Sequence, residues 1–461
     1  MTAMSLTIDK QTLTKYDVAG PRYTSYPTAP EWSATINAEQ YKAKLKAFGQ
    51  NDKTLSLYIH IPFCESLCYF CACNKVIRAK EEKVGDEFLT HLFNEIEEVA
   101  ANIGSRKLIR QLHWGGGTPT YLSEAQMTKL FEKIQSHFDI DFNEEIAIEV
   151  DPRTVTQSKL KVLRTLGFNR ISLGVQDFDE KVMDDINRIQ PFAQVKQITD
   201  WCRELKFASV NFDIIYGLPY QTRETFKKTI DAVISLLPDR IALYSFAYVP
   251  WLSKPQNKFN LDAIALHDEK LDIFIRSRNE LLAHGYQAIA MDHFALKTDD
   301  MAKAFNEGKL HRNFMGYTVK PADEFIGLGP SAIGFLENAF FQNVKVLPEY
   351  YALTAKHEIP VERGKLLSAD DIIRQWTISR LMCQFEIDKA VFESKFGVKF
   401  DEYFKEEATH VANCVEDQLI TNSPKRIKVT DLGRIFVRNV CMGFDWYLRQ
   451  KDGHKRFSRT V

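Results

Sequence analysis

The sequence contains six short apolar runs, each rich in β-branched and aromatic residues. They are TLSLYIHI at 54–61, IRQLHW at 109–114, EIAIEV at 145–150, RISLGV at 170–175, SVNFDII at 209–215 and RIALYSF at 240–246. Runs of this kind are typical of strands buried on both faces of a parallel sheet. Between them lie amphipathic stretches, at 83–102, 124–136, 157–166, 192–206 and 223–237. Strand and helix therefore alternate, and six such units with right-handed crossovers predict an α/β fold, an incomplete (β/α)6 barrel of the TIM type.

The length of 461 residues exceeds what one hydrophobic core usually organises, so we expect more than one domain. We predict an N-terminal arm and helix at 1–50, a catalytic domain at 51–362 and a C-terminal helical domain at 363–461. Within the catalytic domain we predict the barrel at 51–260 and an extension at 261–362 that covers its open side.

The C-terminal domain shows a helix, hairpin and helix pattern that is similar to a winged helix, with a closing helix expected near 431–449. A winged helix can bind DNA, but 60 basic and 61 acidic residues give a net charge of -1. Because no excess positive charge would attract a polyanion, we predict no nucleic-acid partner.

The first 17 residues, MTAMSLTIDKQTLTKYD, are polar and lack the apolar core of a signal peptide. No later run of 18 apolar residues could span a bilayer. We therefore expect a cytoplasmic protein without a membrane span.

Four of the eight cysteines, Cys64, Cys68, Cys71 and Cys73, lie within ten residues directly after the first strand run. Such clustering favours metal binding over disulfide bonds. Cys64, Cys68 and Cys71 have x3 and x2 spacing, which suits three corners of a 4Fe-4S cluster. A structural zinc site is the alternative, although it usually needs four closed ligands and pairs of CxxC.

A 4Fe-4S cluster with three protein ligands leaves its fourth iron open, and S-adenosylmethionine (SAM) can chelate that iron. Cluster potentials as low as about -700 mV allow reductive cleavage of the sulfonium, which yields a 5′-deoxyadenosyl radical. The spacing therefore favours a radical SAM enzyme. GGGTPT at 115–120 follows the second strand run and Asp151 follows the third, so both should meet the cysteines at the carboxyl ends of the barrel strands.

Several further segments closely match one family. They are GPRYTSYPT at 20–28, HWGGGTPTYL at 113–122, IEVDPR at 148–153, GFNRISLGVQD at 167–177, NRIQ at 187–190, DIIYGLP at 213–219, LHRNFMGYT at 310–318 and RNVCMGFD at 438–445. Together with the cysteines, the chain resembles the oxygen-independent coproporphyrinogen III oxidases, which have a radical SAM barrel. The resemblance implies oxidative decarboxylation of two propionates of coproporphyrinogen III to vinyl groups, giving protoporphyrinogen IX in anaerobic haem biosynthesis.

The resemblance also implies two SAM molecules, a low-potential electron donor, a terminal electron acceptor and a monomeric enzyme. By matching motif, the contacts of the cluster-bound SAM are Tyr58, Gly116, Glu149 and Ile333. The contacts of the second SAM are Phe70, Gly117, Thr118, Gln176, Arg188, Asp213 and Ala247. A strand-end carboxylate or arginine such as Glu149 or Arg188 could instead form an internal salt bridge.

Coproporphyrinogen carries four propionates, and we select Arg22 and Arg312 as candidate cations for them. Cys73 is not needed as a ligand, so it is either a packed thiol or a candidate catalytic residue that faces the substrate. The sequence departs from the family pattern at Ala72, where glycine is common, and at Tyr248, where histidine is frequent. A haem chaperone of the related radical SAM type is the alternative function, although those paralogues lack the PRYTSYPT segment.

Overall fold

A computed structural model describes residue 8, residues 10–450 and residues 457–460. Its centre is a single sheet of 12 strands. We label them β1 (Leu55–Ile61), β2 (Leu108–Gly116), β3 (Asp139–Val150), β4 (Arg170–Gln176), β5 (Ser209–Tyr216), β6 (Arg240–Ser245), β7 (Tyr286–Ala290), β8 (His293–Leu296), β9 (Glu324–Leu328), β10 (Ile333–Leu336), β11 (Ala339–Asn343) and β12 (Val361–Leu366).

The order across the sheet is β12-β11-β10-β9-β1-β2-β3-β4-β5-β6-β8-β7. The seven strands from β9 through β1 to β6 pair in parallel. The strands at the two edges, β10 to β12 on one side and β8 and β7 on the other, pair antiparallel. Because β12 and β7 are the two ends of this order, the sheet stays open. The six predicted strands and the incomplete (β/α)6 barrel are thus confirmed.

Strand β3 is longer than its apolar run, since it begins at Asp139 rather than near residue 145. Asp139 and Ile140 still pair with Leu108 and Ile109 of β2. The extra residues are mostly polar or exposed, Phe142 being 50% exposed, whereas Ile140 is half-buried and packs against the core. Backbone pairing therefore accounts for most of the extension.

Helices follow most of the barrel strands and present one apolar face to the sheet. They are Glu82–Ile103, Glu124–His137, Gln157–Thr165, Glu180–Asp185, Phe192–Glu204, Arg223–Leu236 and His267–Ala283. Ser123 and Thr222 form capping boxes that satisfy free amides at the start of two of these helices. Elsewhere in the first 362 residues lie Lys10–Tyr16, Ala38–Gly49, Asp300–Asn306 and Leu347–Thr354.

The predicted covering extension at 261–362 lengthens the sheet at both edges. Strands β7 and β8 continue it beyond β6, and β9 to β12 continue it beyond β1. Between these additions, His311–Asn313 and Gly316–Thr318 form a separate antiparallel hairpin. Thr318 accepts a hydrogen bond of 3.0 Å from Gln111 of β2, so the hairpin is fixed to the sheet. The predicted boundary between residues 362 and 363 falls inside β12, and the domain division stays a prediction.

The C-terminal region is mainly helical. Its helices are Ala369–Gln384, Lys389–Phe396, Phe400–Tyr403, Ala408–Glu416, Asp431–Ile435, Val437–Met442 and Trp446–Gln450. A three-stranded antiparallel sheet completes it, in the order Glu386–Asp388, Arg426–Val429, Ile420–Asn422.

The prediction of one closing helix near 431–449 is wrong, because this segment forms three short helices. The breaks lie at Phe436 and around Phe444, both fully buried. Phe444 packs edge-on against Phe404 with ring centroids 5.1 Å apart. Burial of these two rings therefore overrides the helical periodicity. Across the described residues, none of the helices combines the length and the apolar character needed to cross a membrane.

Candidate active site

The cysteine loop leaves the carboxyl end of β1 and is closed by a short parallel bridge between Phe63–Cys64 and Val76–Ile77. His60 of β1 also ties the loop, since its Nε2 lies 3.0 Å from the carbonyl oxygen of Asn74. Cys64, Cys68 and Cys71 thus sit on a loop that is anchored at both ends. All eight cysteines are free thiols.

Hydrogen-bond donors surround these thiols. Thr118 donates to Cys64 Sγ at 3.4 Å, and Arg153 and Arg188 donate to Cys68 Sγ at 3.3 and 3.4 Å. Three soft thiolates with cationic and hydroxyl donors around them suit the anionic sulfurs of an iron–sulfur cluster. The residues present therefore fit the cluster that their spacing predicted.

The thiols differ in acidity. Burial raises the pKa of Cys64 to about 11, whereas a hydrogen bond with Cys73 lowers the pKa of Cys71 below its usual value. The same hydrogen bond raises the pKa of the exposed Cys73 well above its usual value. Within the described part of the chain, no three His, Cys, Asp or Glu side chains could together hold a single metal ion.

The glycine loop at the end of β2 lies directly against the cysteine loop. The amide of Gly117 donates to the carbonyl of Ile61 at 2.9 Å. A Cβ atom at Gly117 would stand 2.4 Å from the carbonyl oxygen of Pro62, and Gly116 has φ +123°. Only glycine fits such a close approach and such a backbone conformation.

Glu149 of β3 binds this loop through its carboxylate. Its Oε2 accepts from the amide of Gly116 at 3.2 Å, and its Oε1 lies 3.3 Å from His113 Nε2. Although burial opposes ionisation, the hydrogen bond and charge of His113 lower the pKa of Glu149. Tyr58 stacks on His113 with ring centroids 5.9 Å apart, so three of the predicted contacts of the cluster-bound SAM lie around one histidine.

Arg188 connects the cysteine loop to the ends of β3 and β4. Its Nη1 donates to Asp151 Oδ2 at 2.9 Å, and its Nη2 donates to the carbonyl of Gly174 at 2.5 Å. Arg153 donates to the same carboxylate at 2.7 Å. Burial works against the charge of Asp151, but the two guanidinium groups lower its pKa to about 2. Gln176 ends β4 in the left-handed region, with φ +68°.

Asp213 lies inside the barrel on β5, where Ser172 and Asn211 donate to it at 3.0 and 2.9 Å. Burial and the nearby charge of Glu149 raise its pKa to about 6. Both carboxylates line an internal cavity of about 120 Å³. Tyr244 and His293 line the same cavity.

The other predicted SAM contacts lie around the same end of the barrel. Phe70 joins a small apolar cluster with Val182 and Phe246, apart from the main core. Gln256 donates to the backbone carbonyls of Phe70 and Ala247 at 2.9 and 3.1 Å and so links these two residues. Ile333 begins β10, at the opposite side of the cysteine loop from Ala247.

The two candidate substrate cations lie close together but differ in their partners. Arg22 forms a salt bridge of 2.5 Å with Asp292. Arg312 donates to the backbone carbonyl of Arg22 at 2.5 Å and stacks on Tyr317, 5.0 Å from the ring centroid. No carboxylate of the described residues pairs with Arg312, and its Nε has no hydrogen-bond partner there. Arg22 is thus held in a salt bridge with Asp292, whereas Arg312 acts on the same carboxylate only through its charge, without a direct contact.

Sequence reasoning did not single out His113, Arg153, Asp292 or His293. His113 is the first residue of HWGGGTPTYL and Arg153 is the last residue of IEVDPR, so both lay inside quoted motifs without being assigned a role. Asp292 and His293 bond to each other at 2.7 Å in the turn between β7 and β8. No motif marks that turn, and only the fold brings it to Arg22.

Two family models match the chain. The radical SAM superfamily model matches residues 58–233, and the HemN C-terminal domain model matches residues 367–436. The first match covers the cysteine loop and most of the parallel strands. The second covers much of the helical C-terminal region.

Full-length relatives agree with these matches. The chain is 41% identical to the oxygen-independent coproporphyrinogen III oxidase of Synechocystis sp. over 97% of both chains. It is 40% identical to the enzyme of the same name from Escherichia coli over the full length of both.

The fold agrees with that of a solved relative. The structure titled "Coproporphyrinogen III oxidase (HemN) from Escherichia coli is a Radical SAM enzyme" matches 96% of this chain and all of that chain, with a TM-score of 0.91 and 39% identity. Radical SAM enzymes use a 4Fe-4S cluster and SAM, which the thiols described above can accommodate. None of these matches favours the haem-chaperone alternative. The chain belongs to the family of oxygen-independent coproporphyrinogen III oxidases, which are radical SAM enzymes.

Proposed function

We propose that this protein converts two propionates of coproporphyrinogen III to vinyl groups and so produces protoporphyrinogen IX for anaerobic haem biosynthesis. The observation that carries the proposal is the meeting of three thiols, a glycine loop and Glu149 at the carboxyl ends of β1, β2 and β3. Full-length relatives bear the name of this activity.

Each propionate loses CO2 and a β-hydrogen atom, and one further electron passes to a terminal acceptor. When bound, the cluster and SAM supply the one-electron chemistry that removes the hydrogen atom. The protein's part is to hold the reactants in line and to keep water and oxygen out.

Tyr58, Gly116, Glu149 and Ile333 would hold the SAM at the cluster. The carboxylate of Glu149 can accept from a ribose hydroxyl, and the missing side chain at Gly116 lets the backbone approach. His113 keeps the Glu149 carboxylate ionised and oriented through its hydrogen bond.

We further propose that a second SAM lies beside the first. Its contacts would be Phe70, Gly117, Thr118, Gln176, Arg188, Asp213 and Ala247. Arg188 can pair with a methionine carboxylate, and its buried Nε has no partner within the described residues and is free to donate. Asp213 is the matching acceptor for ribose hydroxyls on the opposite side of the barrel cavity.

The test is an anaerobic incubation of reconstituted protein with SAM, a low-potential reductant and coproporphyrinogen III. We expect both 5′-deoxyadenosine and protoporphyrinogen IX, and neither product from the Cys68→Ala variant. Absence of both products from the wild type would refute the proposed function. Equilibrium dialysis with labelled SAM tests the stoichiometry separately, since two molecules per chain are expected and one would refute the second site.

The electron donor and acceptor, the monomeric state and the cytoplasmic location stay predictions. Cys73 also stays a proposed catalytic residue rather than a cluster ligand. Its side chain is exposed and hydrogen-bonded to Cys71, so it lies beside a proposed cluster ligand.

A further inference from the structure

A second and larger cavity, of about 580 Å³, lies between the barrel and the C-terminal helices. The hairpin His311–Thr318 forms one wall, and helix Ala369–Gln384 forms the facing wall. Residues 23–26 of the N-terminal arm line it as well. Its volume falls within the range of about 300–1,000 Å³ that is typical of small-molecule sites, whereas the barrel cavity is far smaller.

The hairpin separates the two cavities. Phe314 lines the large cavity, and the next residue, Met315, lines the barrel cavity together with Glu149 and Asp213. A ligand in the large cavity therefore lies on the other side of the hairpin from Glu149 and Asp213, near the amino ends of β1 and β9, where Ser56 and Glu324 line the wall.

The large cavity combines aromatic walls with positive charge. Arg380 of the C-terminal helix stacks on Trp376, 5.2 Å from the ring centroid, as Arg312 stacks on Tyr317. The charges of both arginines act on Cys383, which also lines the cavity. The two guanidinium groups therefore share one region of the wall.

Neither arginine forms a salt bridge with a carboxylate of the described residues. Arg380 donates only to the amide oxygen of Gln384, and Arg312 only to backbone carbonyls. By contrast, the acidic residues of the wall are already bound, since Glu324 pairs with Lys53 at 2.6 Å and Asp323 accepts from Thr54. These two arginines of the wall thus lack a salt-bridge partner, whereas its acidic residues already have partners.

We propose that Arg312 and Arg380 form a carboxylate-binding pair for the propionates that are not reacting, so that the C-terminal helix takes a direct part in substrate recognition. This inference rests on the proposed function, which requires a ligand with four carboxylates. A guanidinium stacked on an aromatic ring keeps its edge N–H groups free for a bidentate carboxylate. The aromatic walls would cover the apolar faces of the macrocycle.

Binding of the stable oxidised porphyrin, coproporphyrin III, tests the pair without turnover. By fluorescence titration of the reconstituted protein, the wild type should bind coproporphyrin III more tightly than its tetramethyl ester. Arg380→Gln should weaken binding of the acid at least tenfold and leave binding of the ester within twofold. Arg380→Lys should restore part of the difference, because it keeps the charge but not the planar fork.

Arg426→Ala is the matched control, because Arg426 lies in the same C-terminal region, pairs with Glu386 and does not line the cavity. It should bind both porphyrins as the wild type does. Equal affinity of Arg380→Gln and wild type for the acid would overturn the inference even if the wild type turns over coproporphyrinogen. Lack of turnover by the wild type would instead count against the proposed function, so the two failures are distinguishable.

Discussion

The backbone amide of Gly329 donates a hydrogen bond of 2.8 Å to the buried carboxylate of Glu95, which lies 234 residues earlier on helix Glu82–Ile103. Asn343 and Tyr350 donate to the same carboxylate, each at 2.6 Å. A Cβ atom at Gly329 would stand 2.5 Å from the carbonyl oxygen of His60. Glu95 therefore holds the loop before β10 against the end of β1, where the cysteine loop begins.

This carboxylate gives the stability of the protein a defined dependence on pH. Burial raises the pKa of Glu95 to about 7, against an ordinary value of 4.5. The folded state thus holds this proton more tightly than the unfolded state does. The stabilisation that the protonated carboxyl contributes is complete below about pH 4.5 and is lost as the pH rises through 7. The loss amounts to about 3 kcal/mol. In thermal melts from pH 5 to 8, the melting temperature of the wild type should therefore fall relative to that of Glu95→Gln as the pH rises. A difference in melting temperature that does not change with pH would contradict this.

Substitution should divide the four clustered cysteines into three cluster ligands and one cysteine, Cys73, that the cluster does not need. Cys64→Ser, Cys68→Ser and Cys71→Ser should each lose the cluster, because each removes one of three thiolate ligands. Cys73→Ser should keep about four irons per chain but lose most of its activity. Iron and sulfide analysis after anaerobic reconstitution measures this, with Cys202→Ala in the barrel helix Phe192–Glu204 as control. Iron loss in Cys73→Ser would refute the division.

The glycine loop should not tolerate a single methyl group. In Gly117→Ala the new Cβ would meet the carbonyl oxygen of Pro62 at 2.4 Å, so the glycine loop and the cysteine loop must move apart. We expect a large loss of iron after reconstitution and a loss of SAM binding. Gly104→Ala is the control, since its Cβ has room and only the left-handed backbone costs about 1 kcal/mol. Full iron content in Gly117→Ala would show that the two loops are not coupled.

Glu149 should control SAM affinity without affecting the cluster. Glu149→Gln removes the charge that accepts from Gly116 and His113, and hydrogen bonds to charged groups contribute about 1.5–3 kcal/mol. SAM binding, measured by equilibrium dialysis, should weaken about 10- to 100-fold. Glu144→Gln on the same strand should bind SAM normally, because its partners are Arg110 and Lys320. Unchanged affinity in Glu149→Gln would remove Glu149 from the site.

The barrel could be predicted from the sequence because most of its strands are buried along nearly their whole length, which leaves near-continuous apolar runs, although β4 alternates buried and half-buried residues. The start of β3 could not, because residues 139–144 pair through their backbone while their side chains are mostly polar or exposed. The prediction of one closing helix failed for the opposite reason. Phe436 and Phe444 are buried in the core, at positions that the helical periodicity of the sequence does not indicate.

The cluster ligands follow from local spacing, because all three lie on one loop. Local spacing could not predict the partner of Arg22. Its salt bridge to Asp292 spans 270 residues, and nothing near either residue in the sequence indicates it. Arg312 has the same type of side chain but no carboxylate partner within the described chain, and only the tertiary structure separates the two. Arg380 lay in a helix without any motif and became a candidate through its position on the cavity wall.

The unequal size of the two cavities has a consequence for the order of events. The ring of a tetrapyrrole is too large for the space of about 120 Å³ that Glu149 and Asp213 line, whereas the space of about 580 Å³ has the size of a small-molecule site. If the ring lies in the larger space, its propionates approach the barrel from one side only. We therefore expect one propionate to react at a time, with a singly converted intermediate between the two rounds.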